Sequence, residues 1–283
     1  MTRWRAVLVT VTDHSEGARA DLEVLVRSLV DQGGDIALVL VIRGDPTPAP
    51  PSPSPAVAIH VVRQPLATSL SRARNAALAY ARAHDLIAHA DVVAFPDDDC
   101  RYPAGVLDRV ARLMREPAVD VLCGSYAPSH DRLDTRRFPR RFGALTPARA
   151  MAASSNTMFF SPPAIAVVGD FDERLGLGAR YASSEDVDYI LRALRHGFAG
   201  LYRPEHAFVE HPYKPHHSTA YYEGIVAALA KHARGGGTLP LLIRRFALGG
   251  GLVLGGRLAA TDFFAAIRAT PYWLRQRPDP SRP

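Results

Sequence analysis

Cysteine is scarce in this sequence of 283 residues, which contains only Cys100 and Cys123. Two cysteines cannot build a disulfide framework, nor by themselves supply the four ligands of a structural zinc site. No apolar run reaches the roughly 18 to 20 residues that a membrane-spanning helix needs. The nearest candidate, residues 246–256, is rich in glycine and is closed by Arg245 and Arg257. With no signal-peptide cleavage pattern after the first apolar run, these absences predict a reduced, cytoplasmic protein.

Acidic residues are outnumbered by basic ones, 28 against 34, which gives a formal net charge of +6 and a pI near 9.6. A basic chain favours an acidic partner, and nucleic acid, an anionic membrane face and a phosphorylated substrate all meet that condition. The hydrophobic fraction of 47% is ordinary for a globular protein. Charge and composition therefore allow one large domain with a sizeable core and leave the partner open.

The first half of the chain alternates between strand and helix patterns. Residues 6–12 and 36–42 are continuous β-rich apolar runs, and residues 21–32 between them carry leucine and valine at helical spacing. This β-α-β unit predicts an α/β fold, with a Rossmann-like, mostly parallel sheet flanked by helices. Further strands are expected at residues 57–62, 92–95, 119–123, 157–160 and 207–209, and further helices at residues 69–83, from about 103, at 185–196 and from 239 onward.

Three consecutive aspartates, Asp97, Asp98 and Asp99, follow the strand predicted at residues 92–95. In an open α/β sheet, the carboxyl ends of the strands are where ligands bind. Carboxylates this close repel one another unless a cation relieves them, and Mg²⁺ and Mn²⁺ prefer such oxygen ligands. Asp97 and Asp99 point to the same side of an extended chain, so they are the expected pair. A solvated acidic turn before the next helix is the alternative that the run alone leaves open.

An arginine interrupts the apolar stripe of the helix predicted at residues 69–83. Arg74 lies four residues after Leu70 and three before Ala77, both on that stripe. An arginine in this position either extends outward to water or meets an anion. A structural salt bridge and the binding of a phosphate or carboxylate near the aspartates are the two interpretations.

Two acidic residues begin the helix predicted at residues 185–196. Ser183 and Ser184 can cap this helix, and Glu185 and Asp186 fill a first turn where the helix dipole favours negative charge. They could serve only that purpose, or one of them could deprotonate a hydroxyl group at the edge of a cleft. His211 follows the strand predicted at residues 207–209, and is either structural or a metal ligand.

Taken in chain order, these motifs resemble family 2 glycosyltransferases of the GT-A fold. The resemblance covers about residues 6–211. It is carried by Asp21-Leu22-x-x-Leu25-x-x-Ser28-Leu29-x-x-Gln32, Ser71-x-x-Arg74-Asn75-Ala76-Ala77, Phe95-Pro96-Asp97-Asp98-Asp99-Cys100-x-Tyr102-Pro103, Gly169-Asp170-Phe171-Asp172-Glu173-Arg174-Leu175-Gly176 and Ser184-Glu185-Asp186.

The resemblance implies a metal-dependent enzyme that transfers a sugar from a nucleotide-sugar donor to an acceptor hydroxyl with inversion. Asp99 would bind Mn²⁺ or Mg²⁺ directly, and Asp97 would contact the metal and the ribose or diphosphate of the donor. His211 would complete the metal shell. Asp186 is the first choice for the catalytic base, and Glu185 is the second.

The same resemblance places Arg74 and Asn75 beside the donor. The family's usual Val-Asp-Asn-x-Ser strand end, whose aspartate contacts the base, is replaced here by Val-Ile-Arg-Gly-Asp at residues 41–45. Asp13 and Asp45 are therefore the candidates for that contact. A UDP-sugar is favoured, with GDP- and dTDP-sugars left open.

The implied organisation is a GT-A catalytic domain over residues 1–215 and a helical C-terminal appendage over residues 216–283. Within the catalytic domain, a nucleotide-sugar half would extend to about residue 125 and an acceptor half would cover about residues 126–215. The arginines and aromatics of the tail predict either peripheral contact with the inner face of a membrane or a packed appendage that could form a homodimer interface.

Two rival functions remain. A sugar-phosphate nucleotidyltransferase would also need carboxylates and a metal, but residues 12–17 lack the glycine-rich phosphate loop expected after its first strand. A nucleic-acid-binding protein would use the arginines of residues 132–149, which lack the interleaved aromatics of a base-stacking surface, so we expect no nucleic-acid partner. The acceptor could belong to a glycan, a lipid-linked molecule or a natural product.

Overall fold

The computed structural model describes residues 3–13, 15–44, 48–115, 119–127, 142–212, 219–234 and 237–276. Within these ranges a single sheet contains every named strand. The strands are β1 (Ala6–Thr12), β2 (Ile36–Arg43), β3 (Val57–Gln64), β4 (Val93–Ala94), β5 (Val121–Ala127), β6 (Gly143–Ala144), β7 (Met158–Phe160) and β8 (Gly200–Glu210). The helices are α1 (Glu16–Ser28), α2 (Leu70–Ala83), α3 (Val106–Met114), α4 (Pro147–Ala150), α5 (Pro162–Val168), α6 (Glu185–Arg195), α7 (Thr219–His232), α8 (Thr238–Leu254) and α9 (Ala260–Arg275).

The strand order is β3-β2-β1-β4-β7-β5-β8-β6. β3, β2, β1 and β4 run parallel, as do β5 and β8, whereas β7 pairs antiparallel with both β4 and β5. The predicted α/β class with a mostly parallel sheet is confirmed. Because β7 is antiparallel, its first residue lies at the same sheet edge as the last residue of β4. The segment before β7 therefore faces the aspartate run.

Apolar side chains cover both faces of the sheet. Val7 and Val9 of β1 pack in the core cluster under α2 and α6, whereas Ala6 and Leu8 pack in the cluster under α1 and α3. Each of these four residues is fully buried. Alternation of this kind on a strand that is apolar throughout is expected of a parallel sheet between two helical layers.

The last three helices form a third apolar cluster around Tyr222 and Trp273. Leu175, from the loop before α6, belongs to the same cluster, which joins the helical C-terminal region to that loop. The boundary predicted at residue 215 lies outside the described residues and stays a prediction. None of the described helices is both long enough and apolar enough to cross a membrane.

The start of α6 differs from its prediction. Ser184 is the N-cap residue, but its side chain makes no capping hydrogen bond, and its φ of 70° is left-handed. The prediction that the serines cap this helix is wrong for Ser184, because a left-handed backbone directs the side chain away from the first amides. Gly197 follows the C-cap residue of α6, His196, and is left-handed with φ of 84°.

Candidate active site

The aspartate run lies at the carboxyl end of β4 and is fixed to the end of β8. Arg101 N donates to Glu210 O at 2.8 Å, and Glu210 N donates to Arg101 O at 2.8 Å. His211 N then donates to Ala127 O, the last residue of β5, at 3.0 Å. These backbone bonds hold the segment after the aspartates beside the segment that carries His211.

His211 and two of the aspartates converge as a result. His211 Nε2 lies 3.1 Å from Asp99 Oδ1 and 3.8 Å from Asp97 Oδ2, and the Tyr126 ring packs against the imidazole at 5.5 Å between centroids. Two carboxylates and one imidazole form a donor set that suits Mg²⁺ or Mn²⁺. Cys100 lies within the same small cluster, but burial raises the pKa of its thiol well above the usual value, so the protonated sulfur is a poor ligand.

Arg74 joins the aspartate run to the start of α6. Its side chain is only 1% exposed, with Nη1 at 3.1 Å from Glu185 Oε1 and Nη2 at 3.2 Å from Asp97 Oδ1. The guanidinium also lies over the Phe171 ring, 5.5 Å from its centroid. The position of this arginine on an apolar stripe now has a physical reason, because a buried guanidinium is stable only when carboxylates surround it.

Ser155 is a site residue that the sequence did not predict. Its Oγ lies 3.3 Å from Asp97 Oδ1, within hydrogen-bond distance, and the residue is buried. The antiparallel direction of β7 brings this serine to the carboxyl end of β4. The one available signal was the polar run Ser154-Ser155-Asn156-Thr157 directly before an apolar strand.

Glu185 and Asp186 occupy different environments although they are adjacent. Glu185 is held by Arg74, whereas Asp186 is partly buried and its Oδ1 accepts a hydrogen bond from Val187 N at 2.7 Å. Burial, and next the charge of Glu185, raise the pKa of Asp186 to about 7, against the opposing effects of Val187 N and Arg74. A carboxyl group that titrates near neutral pH is suited to act as a general base.

The sequence matches the model of the family described as glycosyl transferase family 2 over residues 9–174, which is more than half of the chain. The chain belongs to glycosyl transferase family 2. No curated protein matches the sequence. The protein is therefore a glycosyltransferase by its family, and the GT-A type fold predicted from its motifs is confirmed.

Solved structures share this fold at low sequence identity. S. aureus TarS 1-349 in complex with UDP-GlcNAc has a TM-score of 0.68 and 16% identity, and the alignment covers 95% of this chain and 81% of that one. The longer S. aureus TarS has a TM-score of 0.61 and 16% identity over 85% of this chain, which spans only 43% of that chain's length. The mannosyltransferase PcManGT from Pyrobaculum calidifontis, in complex with GDP-Man and Mn²⁺, has a TM-score of 0.55 and 16% identity, covering 97% and 84%.

Two other residues of the glycosyltransferase that were predicted to contact the donor, Asn75 and Asp13, form hydrogen bonds with backbone groups. Asn75 pairs with the backbone of Phe171, accepting from its N at 2.7 Å and donating to its O at 3.0 Å. Asp13 is exposed at the end of β1, where Ser15 N donates to it at 3.0 Å and lowers its pKa. Asp45 lies outside the described residues. Asn75 thus holds the loop that leads to α6, and its contact with a donor stays a prediction.

A buried ionic cluster links α6 of the glycosyltransferase to α7. Lys231 Nζ lies 2.8 Å from Asp188 Oδ1 and 2.9 Å from Asp172 Oδ2, while His232 Nε2 lies 2.9 Å from Asp188 Oδ1. Lys231 and the other cations lower the pKa of Asp188 well below its usual value despite complete burial. The sequence signal that was missed is the Lys-His pair at the end of α7, directly after the apolar run of residues 225–230.

Two glycines allow close approach to the Glu185-Asp186 segment. A Cβ on Gly176, which has φ of 98°, would lie 2.8 Å from Ser71 Oγ and 3.1 Å from Glu185 Cδ. A Cβ on Gly224 of α7 would lie 2.7 Å from the backbone oxygen of Ser183. The start of α6 is therefore held between α2 and α7 with no space for a methyl group.

Proposed function

We propose that this glycosyltransferase moves a sugar from a nucleotide-sugar donor to an acceptor hydroxyl, with inversion and with a divalent metal. The observation that carries the proposal is the buried Arg74 guanidinium. It contacts both Asp97 of the aspartate run and Glu185, the neighbour of Asp186, so the proposed metal ligands and the proposed base lie on either side of one buried cation.

Asp99, Asp97 and His211 would hold Mn²⁺ or Mg²⁺, because these three groups already converge within hydrogen-bonding or near-contact distance. Such an ion, when bound, supplies positive charge that stabilises a leaving diphosphate. The complexes of S. aureus TarS with UDP-GlcNAc and with UDP support a UDP-sugar, whereas that of PcManGT with GDP-Man and Mn²⁺ keeps GDP-sugars open and supports a metal.

Asp186 is the proposed base. It would take the proton of the acceptor hydroxyl while that oxygen bonds to the anomeric carbon and the bond to the nucleoside diphosphate breaks. A single displacement of this kind inverts the anomeric centre. The raised pKa of Asp186 supports this role, because the group can both ionise and accept a proton near neutral pH.

Glu185 has a different proposed role. Its ion pair with Arg74 fixes its carboxylate beside Asp186, where its charge contributes to the raised pKa of that group. Arg74 would in turn balance Asp97 and orient it toward the donor diphosphate. Donor contacts by Asn75, Asp13 and Asp45 remain part of the proposal without further support from the contacts above.

Binding of the donor tests the proposal directly. We expect a UDP- or GDP-sugar to raise the thermal stability of the wild type only when Mn²⁺ or Mg²⁺ is present, and Asp99→Ala to lose that metal-dependent shift. The variant Asp108→Ala, which alters a partly exposed aspartate on α3, is the control. Release of pyrophosphate from a nucleoside triphosphate and a sugar phosphate would instead indicate nucleotidyl transfer.

A further inference from the structure

The outer face of α8 is apolar and exposed. Positions three or four residues apart share one side of a helix, and on α8 the exposed positions follow that spacing over its full length. Ile243 is 61% exposed and Leu254 is 91% exposed, whereas Leu242 and Gly249 on the other side are buried. The exposed positions are Leu239, Pro240, Ile243, Arg244, Ala247, Leu248, Gly251 and Leu254.

The outer face of α9 combines apolar and basic side chains. Phe264, Ile267 and Pro271 lie along one edge of its exposed face, at spacings of three and four residues. Arg268 and Arg275, two turns apart, lie on the other edge of the same face and are also exposed. An apolar strip with arginines beside it is typical of helices that lie in the plane of a membrane surface.

The charge of this region is one-sided. Residues 224–276 contain seven basic residues and a single acidic one, Asp262, which is partly buried. Arg244, Arg257, Arg268 and Arg275 are all exposed. None of these four guanidinium groups pairs with a carboxylate in the part of the chain that the structure describes.

The charge pattern also distinguishes between occupants of this surface. In a symmetric dimer the same patch faces itself, so a contact through this face would bring arginines against arginines, and the acidic residue described in α9, Asp262, is partly buried. An anionic bilayer offers both an apolar interior for the exposed side chains and phosphates for the arginines. It also fits helices that are too short or too polar to cross the membrane.

We propose that α8 and α9 form a membrane-binding surface for bilayers that contain anionic lipid. Ile243, Leu254 and Phe264 enter the boundary between headgroups and acyl chains, and Arg268 and Arg275 contact lipid phosphates. The inference goes beyond sugar transfer and does not depend on it, because lipid binding is measured without donor or acceptor.

The test is co-sedimentation of the full chain with vesicles of phosphatidylcholine alone and with phosphatidylglycerol added. We expect binding only to the anionic vesicles at low salt, with loss of most of it near 0.5 M salt, where screening acts over about 4 Å. Each arginine near an anionic surface contributes about fivefold to binding, so Arg268→Gln with Arg275→Gln should weaken it by roughly 25-fold. Phe264→Ser with Ile267→Ser should weaken vesicle binding at low salt and should also reduce the binding that remains near 0.5 M salt.

The matched control removes the same charge elsewhere. Arg27→Gln with Arg112→Gln alters exposed arginines on α1 and α3 and should leave vesicle binding within about twofold of the wild type. Thermal unfolding of each variant shows that it has folded. Equal losses in the two arginine pairs would mean that only net charge matters, and would overturn the proposal. It is also overturned by failure of the wild type to bind anionic vesicles, or by a dimer in solution that Phe264→Ser dissociates.

Discussion

Asp186→Asn separates the role of the proposed base from its effect on stability. Burial and the adjacent Glu185 charge raise the pKa of Asp186 from 3.8 to about 7. Between these two values the folded protein holds a proton that the unfolded chain has already lost. The wild type therefore loses stability as the pH rises from about 4 to about 7, and the penalty is complete above pH 7.

The asparagine side chain removes this titration but keeps an oxygen that can accept the 2.7 Å hydrogen bond from Val187 N. Each pKa unit corresponds to about 1.4 kcal/mol, so the two units between pH 5 and pH 7 correspond to at most about 3 kcal/mol. The unfolding free energy of Asp186→Asn should rise by up to that amount relative to the wild type between pH 5 and pH 8. For a chain of this size, this corresponds to a relative melting-temperature gain of up to about 10 °C.

Transfer activity should change in the opposite direction. Asparagine cannot accept the acceptor proton, so kcat should fall by about 10² to 10⁴-fold. In the wild type, kcat/KM should decrease about tenfold for each pH unit below about 7, because the base must be ionised. The assays are thermal unfolding at pH 5 and pH 8, and nucleoside diphosphate release across the same range.

Asp188→Asn is the matched control, because this carboxyl lies on the same helix with a pKa shifted downward by Lys231, Arg192 and His232. A carboxyl group whose pKa is lowered by folding stabilises the fold at pH values above its pKa in the unfolded chain. That stabilisation is lost as the pH falls through the pKa of the group in the folded protein. This variant should therefore be destabilised most at neutral pH, by about 3 to 5 kcal/mol. If Asp186→Asn is destabilised at pH 8, or its stability difference does not depend on pH, the raised pKa is refuted. If it retains transfer activity, the base assignment is refuted.

Three further substitutions test the supports of the site. Arg74→Met should destabilise the protein by about 3 to 5 kcal/mol in urea unfolding, because its two carboxylate partners lose a buried cation; Arg74→Lys should recover part of the loss. Gly224→Ala should lower the free energy of unfolding by about 1 to 3 kcal/mol and also lower kcat, because the new methyl must displace Ser183. The control Gly250→Ala places its methyl in open space and should change neither quantity. Lys231→Met should lower kcat more than it changes the donor KM, and an unchanged kcat would exclude a link between α7 and the proposed base.

The sheet was predictable where burial is continuous. The apolar runs of β1 and β2 are buried at nearly every position, so the chain pattern alone indicated parallel strands between helices. The insertion of β7 between β4 and β5 was not predictable. This strand has only three residues, and its position between β4 and β5 depends on packing between distant segments rather than on its local sequence.

Some residues of the candidate site were likewise predictable from the sequence, and others were not. Asp97, Asp99 and the arginine on an apolar stripe were visible because each violates a local pattern, and the structure brings them together. The partner of Arg74 could only be guessed, since Glu185 is 111 residues away in the chain. Ser155 and the Lys231 cluster were missed because their partners are likewise remote, and neither the polar run before β7 nor the Lys-His pair of α7 indicates which distant residues it contacts.

The most direct test of the account is the release of nucleoside diphosphate from a panel of UDP-, GDP- and dTDP-sugars, with and without Mn²⁺, by the wild type and by Asp99→Ala. We expect the wild type to release the diphosphate from at least one donor only when the metal is added, and Asp99→Ala to release none. Metal-independent release by the wild type, or release by Asp99→Ala at the wild-type rate, would contradict the claim that the aspartate run holds the metal and the donor.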